Sequence, residues 1–267
     1  MRIIRAGATA LTLALFVASG ALAQDDSLRS LQTGDDSRGW EAVGRLNFGE
    51  RGFCTGALIA DDLVLTAAHC MFDKETGASV DRTTIQFLAG WRNGRASAYR
   101  GVKRVIVHPD YIYSGERSVD RVQYDLALLQ LDQPIRLPSI IPFATDDRPT
   151  KGEEVGVVSY AQDRAEAPSL QQVCHVLERQ HAMLILSCDV DFGSSGAPIF
   201  SIKDGRARIV SVVSAKAEVN GEKVALGTPL AEPVAELRRK LSEGDTGLRP
   251  GNVRVLSGGS GGKFIKP

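Results

Sequence analysis

Short apolar runs, separated by glycine, asparagine and aspartate, dominate this chain from Trp40 onward. Antiparallel strands joined by tight turns produce such a pattern, and periodicity of the helical kind is almost absent. The predicted strands cover residues 43–47, 55–60, 63–67, 85–89, 102–107, 126–131, 155–159, 184–187 and 208–213. Many short strands of this kind predict an all-β architecture of the barrel type.

Two further signals lie near the end of the chain. Asn220-Gly221 predicts a two-residue hairpin between strands over 215–219 and 222–227. The segment that starts at Pro233 has apolar residues at helical spacing, which predicts a short C-terminal helix. The basic residues of that segment are interpreted as its solvated face rather than as a nucleic-acid site.

The charge balance excludes partners that are recruited by net charge. Lysine and arginine number 32, as do aspartate and glutamate, so no global field attracts nucleic acid or an anionic membrane. The 267 residues, less a leader and a tail, leave roughly 200, a size at which β-barrels form one domain or a pair of small ones. A core of this size folds without a structural metal.

Residues 1–23 have the three parts of a secretory signal peptide: a basic start, an uncharged and largely apolar stretch over 6–18, and a small-residue site at 21–23. Cleavage is expected before Gln24, and an uncleaved membrane anchor is the alternative. Export to the medium or the periplasm implies an oxidising compartment. There the four cysteines are expected to form two disulfides rather than a metal site.

Polar sequence without a core pattern flanks the predicted fold on both sides. Residues 24–39 are expected to form a flexible or loosely docked mature N-terminus. Residues 244–267, rich in glycine, serine and basic residues, are interpreted as a C-terminal tail. One domain is therefore expected over residues 40–243, and no internal repeat divides it.

The stretch DFGSSGAP over residues 191–198 predicts a sharp turn that presents the hydroxyl of Ser195. A serine is a poor nucleophile at neutral pH, so catalysis by it needs a histidine base and a buried carboxylate elsewhere in the chain. His69, within TAAHC, offers the base, and Asp125, within YDLALL, offers the carboxylate at the start of an apolar strand.

Each of these motifs, taken singly, has a plain structural interpretation: a loop, a packed core histidine, and a turn or cap residue. Their conjunction, in the order histidine, aspartate, serine, favours catalysis. The order and the local contexts resemble the trypsin/chymotrypsin-like serine peptidases, whose patterns are TAAHC, D-[IL]-A-L-L and G-D-S-G-G-P. The resemblance extends over roughly residues 40–243.

The resemblance implies a fold of two six-stranded antiparallel β-barrels with a short C-terminal helix. It also implies a mechanism in which Ser195 attacks a peptide carbonyl, His69 takes its proton, and Asp125 orients the imidazole. The backbone N–H groups of Gly193 and Ser195 would form the oxyanion hole. The product of the first step is an acyl-enzyme, no metal or other cofactor is expected, and the partners are protein or peptide substrates of a monomer.

Three residues are expected to bind substrate, again by resemblance. Asp189 lies six residues before the serine, where trypsin-like members carry the aspartate that selects basic residues, although the cysteine spacing indicates a different local path. Ser211, in IVSVV, is similar to the serine of I-V-S-W-G that helps to hold Asp125, and Val213 replaces the glycine of the pocket wall. We expect cleavage after small or medium aliphatic residues, with basic residues second. A pocket for glutamate built on a later histidine is excluded, since none follows His181.

Four cysteines allow three pairings. The resemblance implies a bond between Cys54 and Cys70 beneath the histidine, and therefore a second between Cys174 and Cys188. It also places Ser194 where zymogen-regulated members have an aspartate. The lack of that aspartate is a feature of bacterial-type members. The alternative function is a catalytically inactive secreted module that keeps the barrels for binding.

Overall fold

A computed structural model of the chain describes residues 27–113, 121–146, 149–180, 183–244 and 264–265. The predicted signal peptide, most of the predicted tail, and His181 lie outside the described residues. No helix in the described ranges is long and apolar enough to cross a membrane.

The first half of the chain forms a closed six-stranded antiparallel barrel. Its strands are β2 Val43–Phe48, β3 Phe53–Ala60, β4 Leu63–Thr66, β5 Ile85–Ala89, β6 Ala98–Val107 and β7 Ala127–Leu131. They pair in the order β2-β3-β4-β7-β6-β5, and β2 also pairs with β5, which closes the barrel. Leu46, Leu58, Val64, Phe87 and Leu129, which share one face of the sheet, fill the interior and are fully buried.

The second half forms the other sheet. Its main strands are β8 Glu154–Ala161, β9 Arg164–Gln180, β10 Met183–Leu186, β11 Pro198–Lys203, β12 Arg206–Val219 and β13 Glu222–Pro229. They pair in the order β9-β10-β13-β12-β11-β8, and the additional pairing of β8 with β9 closes this ring as well. The predicted class, all-β with two six-stranded barrels, is confirmed.

Local predictions near the end of the chain also hold. Asn220 and Gly221 have φ of 53° and 86°, and the hairpin they form pairs Val219 with Glu222. Such left-handed residues give a two-residue turn the twist of its flanking strands. The helix α1 extends over Ala231–Ser242 and so begins two residues before the predicted start.

Four strands were not predicted, which are β1, β9, β11 and β14, and two of them are short. β1 Leu28–Ser30 pairs with β9, and the next residue, Leu31, is fully buried in the core. Of the two alternatives expected for residues 24–39, the docked one therefore describes this part, because backbone hydrogen bonds and one buried leucine hold a segment that has no apolar periodicity. At the other end of the chain, β14 Phe264–Ile265 pairs with β12.

Aromatic residues join the two barrels. The Phe200 ring of the second barrel lies 5.0 Å from Trp40 and 4.7 Å from Phe143, in edge-to-face contacts. Tyr160 is fully buried, and its hydroxyl donates to the Trp91 carbonyl of the first half at 2.8 Å. The two barrels are therefore held in a fixed relation. The turn over residues 191–198 of the second barrel packs against the first barrel.

Candidate active site

The pairing of two neighbouring strands brings His69 beside Asp125. β4 and β7 are antiparallel, and Thr66 at the end of β4 is opposite Ala127 at the start of β7. Residues that follow β4 therefore meet residues that precede β7 at one end of the barrel. His69 lies in a 3₁₀ turn just beyond β4, and its Nδ1 is 2.7 Å from Asp125 Oδ2.

Asp125 is only 2% exposed and accepts three hydrogen bonds. His69 donates to it twice, from its backbone N–H at 2.8 Å and from Nδ1. The third donor is the hydroxyl of Ser214 in β12. A buried carboxylate that accepts from Nδ1 fixes the neutral imidazole in the tautomer whose Nε2 is free to accept a proton.

Ser195 lies in the turn before β11, and backbone contacts from both barrels hold it. Its carbonyl accepts from Thr55 N–H at 2.8 Å, and the next N–H, of Gly196, donates to the Val213 carbonyl at 2.8 Å. Gly196 has φ of 78°, and a Cβ there would lie 2.1 Å from Thr66 Oγ1. Only glycine therefore fits between the serine turn and the first barrel.

Ser195 and His69 line one cavity of about 550 Å³. Within the part of the chain that the structure describes, their side chains are not hydrogen-bonded to each other. Contacts between a nucleophile and its base are often long until substrate binds, so the arrangement remains compatible with proton transfer. The cavity is also lined by the Cys54–Cys70 disulfide and by aromatic side chains, which are Phe48, Phe53, Phe72 and Phe192.

The backbone N–H groups of Gly193 and Ser195 donate to no acceptor among the described residues. The Gly193 N–H has a fixed direction, because the Phe192 carbonyl of the same peptide accepts from Gln162 N–H at 2.6 Å. In a trans peptide the N–H is directed opposite to the carbonyl. Thr55 Oγ1 donates to the Gly193 carbonyl at 2.9 Å and fixes the following peptide. Such preoriented donors can stabilise an oxyanion.

Ser194, at the position of the zymogen aspartate, is fully buried and makes local hydrogen bonds. Its hydroxyl donates to the Tyr160 carbonyl at 3.2 Å and accepts from Asp191 N–H at 3.3 Å. The Arg164 guanidinium also donates to it, at 3.4 Å. Burial lowers the pKa of Arg164, and the nearby carboxylates of Asp163, Asp189 and Asp191 act in the opposite direction.

The expected role of Ser211 is corrected by the structure. Ser211 Oγ donates to the Thr228 carbonyl at 2.9 Å, and Ser214 is the serine that contacts Asp125. The proposed match to I-V-S-W-G was therefore placed three residues too early. A β-bulge in the pairing of β12 with β13, between Val213 and Ala215, lies at Ser214 and re-aims its side chain.

The expected role of Val213 changes for the same reason. Val213 is fully buried, and its backbone is bonded to Gly196 and Ala197 of the serine turn, so it supports the turn; it is not among the residues that line the cavity containing Ser195. When the match to I-V-S-W-G is shifted by three residues, Lys216 occupies the position of the glycine. Its Nζ is 2.6 Å from Asp191 Oδ1 and 4.4 Å from the Phe192 ring centroid.

Asp189 is exposed, and its N–H donates to Gln171 Oε1 at 2.7 Å. It does not line the cavity that contains Ser195. The structure therefore brings together His69, Asp125 and Ser195 but leaves Asp189 outside that cavity. Sequence reasoning missed four residues that shape the site, which are Thr55, Tyr160, Arg164 and Ser214.

The cysteines are joined as Cys54–Cys70 and Cys174–Cys188. Among the residues that the structure describes, two groups of side chains have the composition of metal ligands. Cys54, His69 and Cys70 form one, but both of its sulfurs are committed to a disulfide. The other group is His108 with the carboxylates of Asp110 and Glu236. The Nδ1 atom of His108 accepts a backbone N–H, so the ring proton lies on Nε2, and Nε2 in this tautomer has no lone pair for a metal.

The model of a trypsin-like peptidase domain matches residues 54–208, more than half of the chain. The chain therefore belongs to the trypsin-like peptidase family, as its three motifs predicted. A solved structure of a Glu endopeptidase in complex with MPD superposes on it with a TM-score of 0.67 at 18% identity. The superposition covers 82% of this chain and 98% of that one, and shows the common fold.

Two curated proteins are similar over a shorter span. The glutamyl endopeptidase of Bacillus licheniformis is 26% identical over 171 residues, which are 64% of this chain and 52% of that protein. Serine protease 23 of Mus musculus is 28% identical over 164 residues, which are 55% of this chain and 42% of that protein. The chain thus spans about half the length of these relatives, or less.

Proposed function

We propose that the chain is a secreted or periplasmic serine endopeptidase that hydrolyses peptide bonds through Ser195, His69 and Asp125. The observation that carries the proposal is that His69, whose Nδ1 is bonded to the buried Asp125, lines the same cavity as Ser195. Family membership supports the same class of activity. The two disulfides favour an oxidising compartment, in agreement with the predicted signal peptide.

In the proposed reaction, Ser195 Oγ attacks the peptide carbonyl while His69 Nε2 takes its proton. His69 then donates that proton to the leaving amine, and an acyl-enzyme remains. Water, deprotonated by His69, hydrolyses the ester and restores Ser195. Asp125 stays ionised throughout and stabilises the imidazolium.

The oxyanion of each tetrahedral intermediate would accept from Gly193 and Ser195 N–H. Each such donor contributes about 3 to 4 kcal/mol to transition-state stabilisation. The contact between Gln162 N–H and the Phe192 carbonyl supports this assignment, since it preorients the Gly193 donor. No step requires a metal or another cofactor.

A fluorophosphonate probe tests the proposal directly. We expect the probe to label the protein, and Ser195→Ala to abolish labelling. Ser79→Ala, at an exposed serine, is the matched control and should label like the unchanged protein. A folded protein that the probe never labels would instead support the inactive binding module.

Substrate preference is a separate part of the proposal. We retain cleavage after small or medium aliphatic residues as the prediction, with basic residues second. Peptides that differ only in alanine, valine, arginine or glutamate before the scissile bond test it, and glutamate is included because two similar proteins are named for it. Strong turnover of the arginyl peptide, lost in Asp189→Ser, would reverse the predicted order.

A further inference from the structure

One edge of β12 loses its partner beside the candidate active site. β13 pairs with β12 along residues 211–219 on one side. On the other side β11 pairs with β12 only as far as Val212, which is opposite Pro198. Beyond Val212, the described partner on that side is β14, which pairs Ile265 with Lys216 and Phe264 with Ala217.

This edge begins at the serine turn. Val213 accepts from Gly196 N–H and donates to the Ala197 carbonyl, so the edge starts where the chain leaves Ser195. Ser214 contacts Asp125, and Lys216 pairs with Asp191 near the start of the same turn. An extended peptide added to this edge would therefore lie beside the nucleophile.

The direction of β14 matches that of the acyl part of a substrate. β14 is antiparallel to β12, so from Phe264 to Ile265 it advances from Ala217 toward Lys216 and thus toward Val213 and the serine turn. The residues before a scissile bond must also run toward Ser195, because their last carbonyl is the one attacked. A strand of the opposite direction would run away from Ser195, as the residues after the scissile bond do.

We infer that residues 264–265 dock as a strand on the β12 edge that the acyl part of a substrate must use, and that this tail segment competes with substrate. The inference rests on the proposed peptidase function for its kinetic consequence, but the docking itself does not. The occupant is part of the same chain. Its local concentration is therefore high and independent of protein concentration.

A tethered competitor has a distinct kinetic signature. Substrate must displace the strand before it binds, so docking raises the apparent KM. Once substrate is bound the strand is absent, and kcat is unaffected. The inhibition is also unchanged on dilution of the protein, because it is intramolecular.

The test uses the full chain with two pairs of substitutions. Phe264→Pro with Ile265→Pro removes both backbone N–H donors of the segment and blocks a ladder. Phe264→Val with Ile265→Val keeps both donors and favours the extended conformation, so it is the matched control. We expect the proline pair to lower KM at least threefold at constant kcat, and the valine pair to leave both unchanged.

Hydrogen exchange of the amides in residues 213–219 is the second readout, and it does not depend on catalysis. We expect faster exchange in the proline pair than in the valine pair. Equal exchange in the two, or an unchanged KM in a protein that the fluorophosphonate labels fully, would overturn the inference. If no variant is labelled, the proposed peptidase function fails, and the exchange rates alone decide whether the strand docks.

Discussion

At the residue scale, Ser214 is the donor to Asp125 that can be removed without altering the histidine. A hydrogen bond to a charged group contributes about 1.5 to 3 kcal/mol, and about 1.4 kcal/mol corresponds to a tenfold change in rate. We expect Ser214→Ala to lower kcat/KM on a peptide substrate by about tenfold or more. Ser211→Ala is the control and should leave kcat/KM within about twofold. The reverse result would restore the original assignment to Ser211.

The same pair of serines shows why sequence reasoning reached Asp125 but not its third donor. Ile209-Val210-Ser211 matches the first three letters of I-V-S-W-G, whereas Val212-Val213-Ser214 matches only the second and third, so the letters favour the wrong serine. A regular strand alternates its side chains, so a choice made by counting fails wherever a bulge intervenes. The bulge at Ser214 directs that side chain to Asp125, and the bulge is visible only in the pairing of β12 with β13.

At the scale of the element, the serine turn depends on a buried arginine that no motif indicated. Arg164 at the start of β9 donates to the Ser159 carbonyl at 2.7 Å and to Ser194 Oγ. We expect Arg164→Met to remove a donor from both acceptors, to cost about 1 to 3 kcal/mol of stability, and to lower kcat more than it changes KM. Arg206→Met, at an exposed arginine of β12, is the control.

Thermal unfolding and steady-state kinetics on both arginine variants separate the two effects. Arg164→Lys keeps a charge but has no planar fork, so it should recover only part of kcat. A loss of stability in Arg164→Met without any loss of kcat would contradict a positioning role for Arg164 and leave it a structural residue.

Activation also belongs to this scale, because the turn is held by local bonds. Ser194 cannot make the ion pair by which a new amino terminus orders the turn in zymogens, and Tyr160, Asp191 and Arg164 bond to its hydroxyl instead. We predict full activity after removal of the signal peptide, without a second cleavage. Residues 24–267 with Arg29→Ala and Arg38→Ala should titrate as active sites. A folded product that stays inert until trimmed would contradict this.

At the scale of the whole molecule, the family resemblance predicted both barrels, and local patterns predicted the last hairpin and the helix. The sequence did not predict β1, β9, β11 or β14 as strands. β1 and β14 are three and two residues long and form by pairing with strands far away in the chain. The sequence also did not indicate that α1, although it follows the second barrel, packs on the first. Arg104 of β6 donates to the Leu241 carbonyl of α1 at 2.9 Å.

His108 is a titratable residue at the contact between the first barrel and α1. It follows β6, is 3% exposed, and stacks on Tyr124 with ring centroids 4.7 Å apart. Its Nε2 lies 3.5 Å from Glu236 Oε2 of α1. Burial lowers the pKa of His108 below its ordinary value of 6.5; the carboxylates of Glu236 and Asp110 oppose this shift, and Lys240 adds to it.

The sign of the effect follows from the lowered pKa. Below pH 6.5 the unfolded chain binds a proton at His108 before the folded chain does, so the free energy of unfolding falls as the pH is lowered toward the folded pKa. We therefore expect the loss of stability between pH 7 and pH 5, about 1.4 kcal/mol per unit of pKa shift, to be smaller in His108→Gln than in the unchanged protein. Urea unfolding at both pH values measures it. His175→Gln, at a half-buried histidine of β9, is the control and should retain the full loss of stability. An equal loss in all three proteins would show that His108 does not contribute to the pH dependence of stability.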